Sequence, residues 1–113
     1  MKSGLPLLVG LVLLAGCTTP PVNYYYGNYS RTLYRNKKDN TPESQAKYRQ
    51  SLEDIIQTSA KKGIKVPPGI YCEYAYLLAK EGNQEADRYF SLEETTYPES
   101  ARFVTFVRNQ LKQ

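Results

Sequence analysis

The chain has 113 residues, with 15 lysines and arginines against 11 acidic residues and a formal charge of +4. The surplus is small and the basic residues are mixed with acids, which excludes the concentrated basic footprint of a nucleic-acid binder. Histidine is absent, so the commonest general base and metal ligand is missing and no cofactor or metal site is expected.

Met1-Lys2 is a minimal positive start. Leu5 to Leu14 is an apolar run too short to span a bilayer, which takes roughly 20 residues. Leu14-Ala15-Gly16-Cys17 closes it. Small residues before a cysteine at this point resemble the cleavage box of bacterial lipoproteins. The resemblance implies that residues 1–16 are a removed signal peptide, that Cys17 carries lipid, and that its new amine is acylated too. One acyl chain anchors only marginally, whereas two or more hold a protein at a membrane. Thr18 stands where an Asp would favour inner-membrane retention, so the expected location is the outer membrane, facing the periplasm. With Cys17 consumed by lipid, Cys72 is left single and an intramolecular disulfide is excluded.

Residues 17–23 contain Pro20 and Pro21 and read as a short, stiff spacer. A single helical domain is expected over 24–113. It opens on Tyr24-Tyr25-Tyr26-Gly27-Asn28-Tyr29, where Tyr26, Tyr29 and Leu33 fall at helical spacing and Ser30 to Arg35 continues a short helix. Two readings of these tyrosines stay open. They pack across the domain as its first element, or they form an exposed aromatic patch for a protein or the membrane interface. Arg35 to Asn40 is polar and turn-like, a solvated loop or, in the sharper reading, a patch drawn to anionic headgroups.

Four main helices follow. Thr41-Pro42-Glu43 is a strong helix start, and the helix runs to Lys62 with a stripe of Tyr48, Leu52, Ile55, Ile56 and Ser59 or Ala60 before Gly63 stops it. Pro67-Pro68-Gly69 breaks the chain and sets up a second start. Ile70 to Glu81 is a helix with a broad apolar face, suited to burial on two sides. Cys72 lies in it, as a core residue or as a thiol for an intermolecular bond. Gly82-Asn83 is a turn, and Gln84 to Thr96 is a helix carrying Ala86, Tyr89 and Phe90 on one face. Tyr97-Pro98 ends it. Glu99 to Lys112 is the last helix, with Phe103, Val104, Val107 and Leu111 as its stripe, and Phe106 and Leu92 lie off the stripes. Short links make neighbouring helices antiparallel, so the fold class is all-α.

Tyr71 to Pro98 resembles a tetratricopeptide repeat. Ala75 and Ala86 take the small positions, Phe90 the large one, Gly82-Asn83 the turn and Pro98 the terminal proline. The turn is one residue short, and Glu93 stands where the second small residue of the second helix belongs. The resemblance implies that Pro42 to Lys62 closes a preceding degenerate repeat and that Glu99 to Lys112 is a solvating cap. Over nearly its whole length the chain also resembles the domain of unknown function family 4810. The features that carry this are Cys17, Tyr26 to Tyr29, Val66-Pro67-Pro68-Gly69, Glu73 to Leu78, Gly82-Asn83 and Tyr97 to Ser100. This second resemblance implies a tetratricopeptide-like lipoprotein, and two partners at the outer membrane: a lipoprotein resembling the curli secretion channel and a second small lipoprotein. It implies no active-site residue.

Three functions compete. The first is a membrane-tethered scaffold that docks an envelope protein, with Tyr24, Tyr25, Tyr26, Tyr76, Arg88 and Arg102 as candidate contacts, since Tyr and Arg are enriched at interface hot spots. The second is a pilotin-like escort of an outer-membrane channel. The third is a cell-wall enzyme, which needs two converging carboxylates. Glu93-Glu94 and Glu53-Asp54 are adjacent on helices and point apart, so they read as solvated faces and catalysis is not expected. A single repeat pair is marginal alone, so a partner or self-association is expected to complete its core.

Overall fold

In the computed structural model, which describes residues 23–113, the described residues fold as five helices. They are α1 (Tyr29–Asp39), α2 (Pro42–Lys62), α3 (Ile70–Lys80), α4 (Ala86–Thr96) and α5 (Ala101–Leu111), with a 3-10 turn at Pro98–Ser100. No strand occurs among the described residues. The apolar run, Cys17 and the proline spacer lie outside them. No helix among the described residues is long and apolar enough to cross a membrane.

The ends of α2 follow its sequence. The Thr41 hydroxyl accepts from the Ser44 N–H at 3.1 Å, and the Ser44 hydroxyl accepts from the Thr41 N–H at 3.0 Å. This reciprocal capping box satisfies two donors that a helix start would leave bare. Gly63 takes φ 67° and its N–H closes the last turn, just after Lys61 and Lys62. Between the ends, Tyr48, Leu52, Ile55 and Ser59 are buried at steps of three and four. Burying Leu52 and Ile55 completely contributes about 2 kcal/mol each.

α1 corrects the sequence reading. The basic run Arg35 to Asp39 is not a loop but the last turn and a half of a helix. Lys37 and Lys38 sit at its negative end, where the helix dipole favours cations. Asn40 at φ 48° ends it, its N–H bonded to the Asn36 carbonyl at 2.9 Å. Among the described residues the backbone of α1 lies against α2 alone, with the Tyr29 side chain reaching α3. The face of α1 toward α2 is partly polar: Thr32 is buried, and its hydroxyl lies 2.7 Å from that of Ser51 on α2. Small hydroxyl residues on both sides let the two backbones approach.

α3 is the central helix. It packs on α2, α4 and α5 and buries Ile70, Cys72, Tyr74, Ala75 and Leu78, which is why its apolar face is broad. With α4 it forms a hairpin joined by a short link. Ala75 and Ala86 are buried at this junction, while the rings of Tyr74 and Tyr89 meet edge to face at 4.8 Å. α4 begins two residues later than its pattern suggests, because the Asn83 side chain accepts from the Glu85 N–H at 2.9 Å and holds a turn. α5 likewise begins at Ala101, after Pro98 has imposed the 3-10 turn.

α5 also corrects its expected stripe. Val104 is buried and Val107 and Leu111 pack on the core, but Phe103 is 54% exposed and Phe106 57%. Phe103 and Val104 are adjacent, so roughly 100° apart on a helix, and a helix packed along one side cannot bury both. The outer side of the last helix therefore sets Phe103 and Phe106 among exposed Arg102, Thr105, Asn109 and Gln110, a face only partly polar.

Candidate functional site

Glu93 is the most constrained polar group among the described residues. It is 0% exposed on α4. One carboxylate oxygen accepts from the Gly69 N–H at 3.1 Å and the other from the Cys72 N–H at 3.2 Å. The Ser100 hydroxyl approaches the first oxygen at 3.4 Å. The bonded N–H groups belong to the exposed-donor end of α3, where the helix dipole is positive. Glu93 is thus a cap supplied by a neighbouring helix and not part of a solvated face. Gly69 before it takes φ 90°, a left-handed conformation that suits glycine.

A second carboxylate, Glu73 on α3, gathers two tyrosines. The Tyr29 hydroxyl of α1 donates to both its oxygens, at 2.8 and 2.7 Å, and the buried Tyr48 of α2 donates to it as well. One carboxylate so ties three helices together. Tyr74 donates to Glu53 at 2.8 Å and Tyr25 to Asp54 at 2.7 Å. The Tyr97 hydroxyl donates to the Val66 carbonyl at 2.7 Å. Burial and the neighbouring carboxylates raise the phenols of Tyr48 and Tyr74, the latter to about 12. Tyr97 is raised by burial and by the Tyr24 hydroxyl beside it.

These shifts make the fold sensitive to alkali. A phenol raised on folding stabilises the native state fully below its unfolded value of about 10, and that contribution is lost as pH rises past 10 toward the folded value. Each such tyrosine removes about 1.4 kcal/mol per pH unit in that window. Helicity followed by circular dichroism should fall cooperatively between about pH 10 and 12, less steeply in a Tyr48→Phe, Tyr74→Phe variant. Unchanged helicity to pH 12 would contradict the network.

The six candidate contacts from sequence do not form one surface. Tyr24, Tyr25 and Tyr26 lie together where the described chain begins, with Tyr24 hydrogen-bonded to Tyr97 at 3.2 Å and Tyr26 exposed. Tyr76 is half-buried on α3 under Lys80. Arg88 is exposed on α4, paired with Glu85 and lying over the Tyr89 ring. Arg102 is exposed on α5 beside Phe103. Phe106, one turn on from Phe103, completes an apolar pair on that outer side.

An open groove of about 970 Å³ runs along the seam of α1 and α2, lined by Arg31, Arg35 and Lys47 but equally by Asp39, Glu43 and Asp54. Its alternating signs select no class of ligand. Cys72 is buried and its thiol is pushed up to about 11 by that burial, helped by Glu93 and Glu73, so it is not a ready nucleophile. Among the described residues no cluster of cysteines and carboxylates is arranged to hold a metal ion. Both oxygens of Glu93 are occupied by backbone donors, the work of a cap rather than of a proton-transfer group.

No curated protein and no solved structure matches the chain. The family described as "Domain of unknown function (DUF4810)" matches residues 23–107, which include α1 to α4, the capping Glu93, the hub Glu73 and both exposed phenylalanines, and the chain belongs to that family.

Proposed function

We propose that the protein is a lipid-tethered binding module of the bacterial outer membrane. It faces the periplasm and docks a protein of the cell envelope through the outer side of α5. The observation that carries this is the exposed pair Phe103 and Phe106. Two large apolar side chains at i and i+3, each more than half in water, mark an interaction site more than they serve a monomer. Their place on the last helix of a stack suits a partner helix that continues the stack. Arg102 stands beside them, of a residue type common at hot spots.

The tether half of the reading rests on the apolar run ending at Leu14-Ala15-Gly16-Cys17. Holding module and partner at one membrane raises their effective concentration with no added contact. The partner proposed is the envelope lipoprotein resembling the curli secretion channel, with a second small lipoprotein in the same assembly. No cofactor, nucleic acid or catalytic step enters the reading.

The test is co-purification from outer membranes. A Phe103→Gln, Phe106→Gln variant should keep its helicity, since both rings are exposed, and lose at least about tenfold of the captured channel-like lipoprotein. Equal capture by the variant would remove α5 as the docking side. Substoichiometric, transient capture would favour a pilotin-like escort.

A further inference from the structure

A second surface lies where the described chain begins, at residue 23. Lys62 lies over the Tyr25 ring at 5.0 Å and Lys65 over the Tyr97 ring at 5.8 Å. Tyr24 joins the two through its bond to Tyr97, and its ring meets that of Tyr26 edge to face at 6.4 Å. Around this cluster Lys61, Lys62 and Lys65 are exposed, and so are two apolar groups, Ile64 at 36% and Tyr26 at 44%.

The collar keeps a positive surplus, three exposed lysines against the one carboxylate of Asp54. None of the three lysines is in an ion pair among the described residues, and residues 1–22 contain no acidic side chain to supply one. The carboxylate within the cluster, Asp54, is engaged by the hydroxyls of Tyr25 and Thr58. The helix dipole accounts for Lys61 and Lys62 at the end of α2. It does not account for Lys65, which lies beyond the helix.

We propose that this collar seats the domain on anionic phospholipid headgroups beside its own anchor. The inference rests on the lipid-tethered reading above. From Cys17 to Asn23 the chain reaches about 20 Å even when fully extended, so lipid on Cys17 holds the collar close to the headgroups. A basic patch next to an acyl anchor is the usual second signal for stable attachment, and each lysine near an anionic surface strengthens partition about fivefold. Exposed Ile64 and Tyr26 add apolar contact at the interface, where tyrosine is favoured.

The native full-length protein reconstituted in vesicles tests this, with amide hydrogen exchange as the readout. In vesicles in which about a quarter of the lipid is phosphatidylglycerol, residues 24–29 and 61–66 should exchange several-fold more slowly than in pure phosphatidylcholine. The difference should vanish at about 0.5 M salt and in a Lys61→Gln, Lys62→Gln, Lys65→Gln variant. Equal exchange in the two vesicle types, or protection that survives the triple substitution, would overturn the collar. Mass spectrometry of the Cys17 peptide from the same sample separates the two levels. An unmodified cysteine sinks the tether, while a lipidated one with no anionic dependence sinks the collar alone.

Discussion

Replacing Glu93 with alanine is expected to abolish cooperative folding of the helical domain at room temperature. The Gly69 and Cys72 N–H groups would lose their acceptors in a site where the side chain is 0% exposed. Each orphaned buried donor costs about 1–3 kcal/mol. The missing carboxylate adds a cavity and removes a favourable charge from the positive end of α3. A total of about 4–6 kcal/mol is comparable to the whole stability of a domain of this size. Glu93→Gln keeps the volume and one acceptor, so it should lose about half as much, lowering the melting temperature by about 10–15 °C. Thermal melts by circular dichroism read both. A Glu93→Ala variant that melts like the wild type would mean that these bonds do not hold α3 in place.

Glu73→Ala is expected to cost about 2–3 kcal/mol and to release α1 in particular. The Tyr48 hydroxyl would be left without its acceptor in a buried position, and Tyr29 would lose the bonds that reach from α1 to α3. Among the described residues the backbone of α1 otherwise lies against α2 alone. Exchange of its backbone amides should therefore accelerate more than that of α3 or α4, the pattern of local opening. Tyr29→Phe alone should cost about 1 kcal/mol. Combined with Glu73→Ala it should add little, since the two act through one interaction. Uniform acceleration across all helices would show that Glu73 supports the core at large and does not fasten α1.

The helices were legible where local chemistry and packing agree. α2 has a cap, a proline at its first position, one apolar stripe and a terminal glycine, and each points to the same span. α1 was legible only in its first half. Its second half has no apolar period, because it meets α2 through a half-buried Asn36 that faces the Ser44 hydroxyl, and polar contacts leave no hydrophobic signature. Glu93 was hidden for a different reason. Next to Glu94 on a helix it looks like a solvated pair, and only the approach of the α3 start from elsewhere in the chain gives it donors. The Phe103 and Phe106 surface was half visible. Spacing placed Phe103 in the stripe and Phe106 off it, but which side of α5 meets the core depends on where α3 and α4 stand. Tyr24, Tyr25 and Tyr26 were legible as a group, while Lys62, Lys65 and Tyr97 join them only through the fold.

The measurement closest to the central claim is site-specific photocrosslinking in the native envelope. A photoreactive phenylalanine analogue replaces Phe106 on the outer side of α5, with a control at exposed Arg31 on α1. The expected result is an abundant adduct between position 106 and another envelope protein, absent from the control. No adduct at 106, or an adduct only to a second copy of this chain, would contradict a protein-docking role for α5.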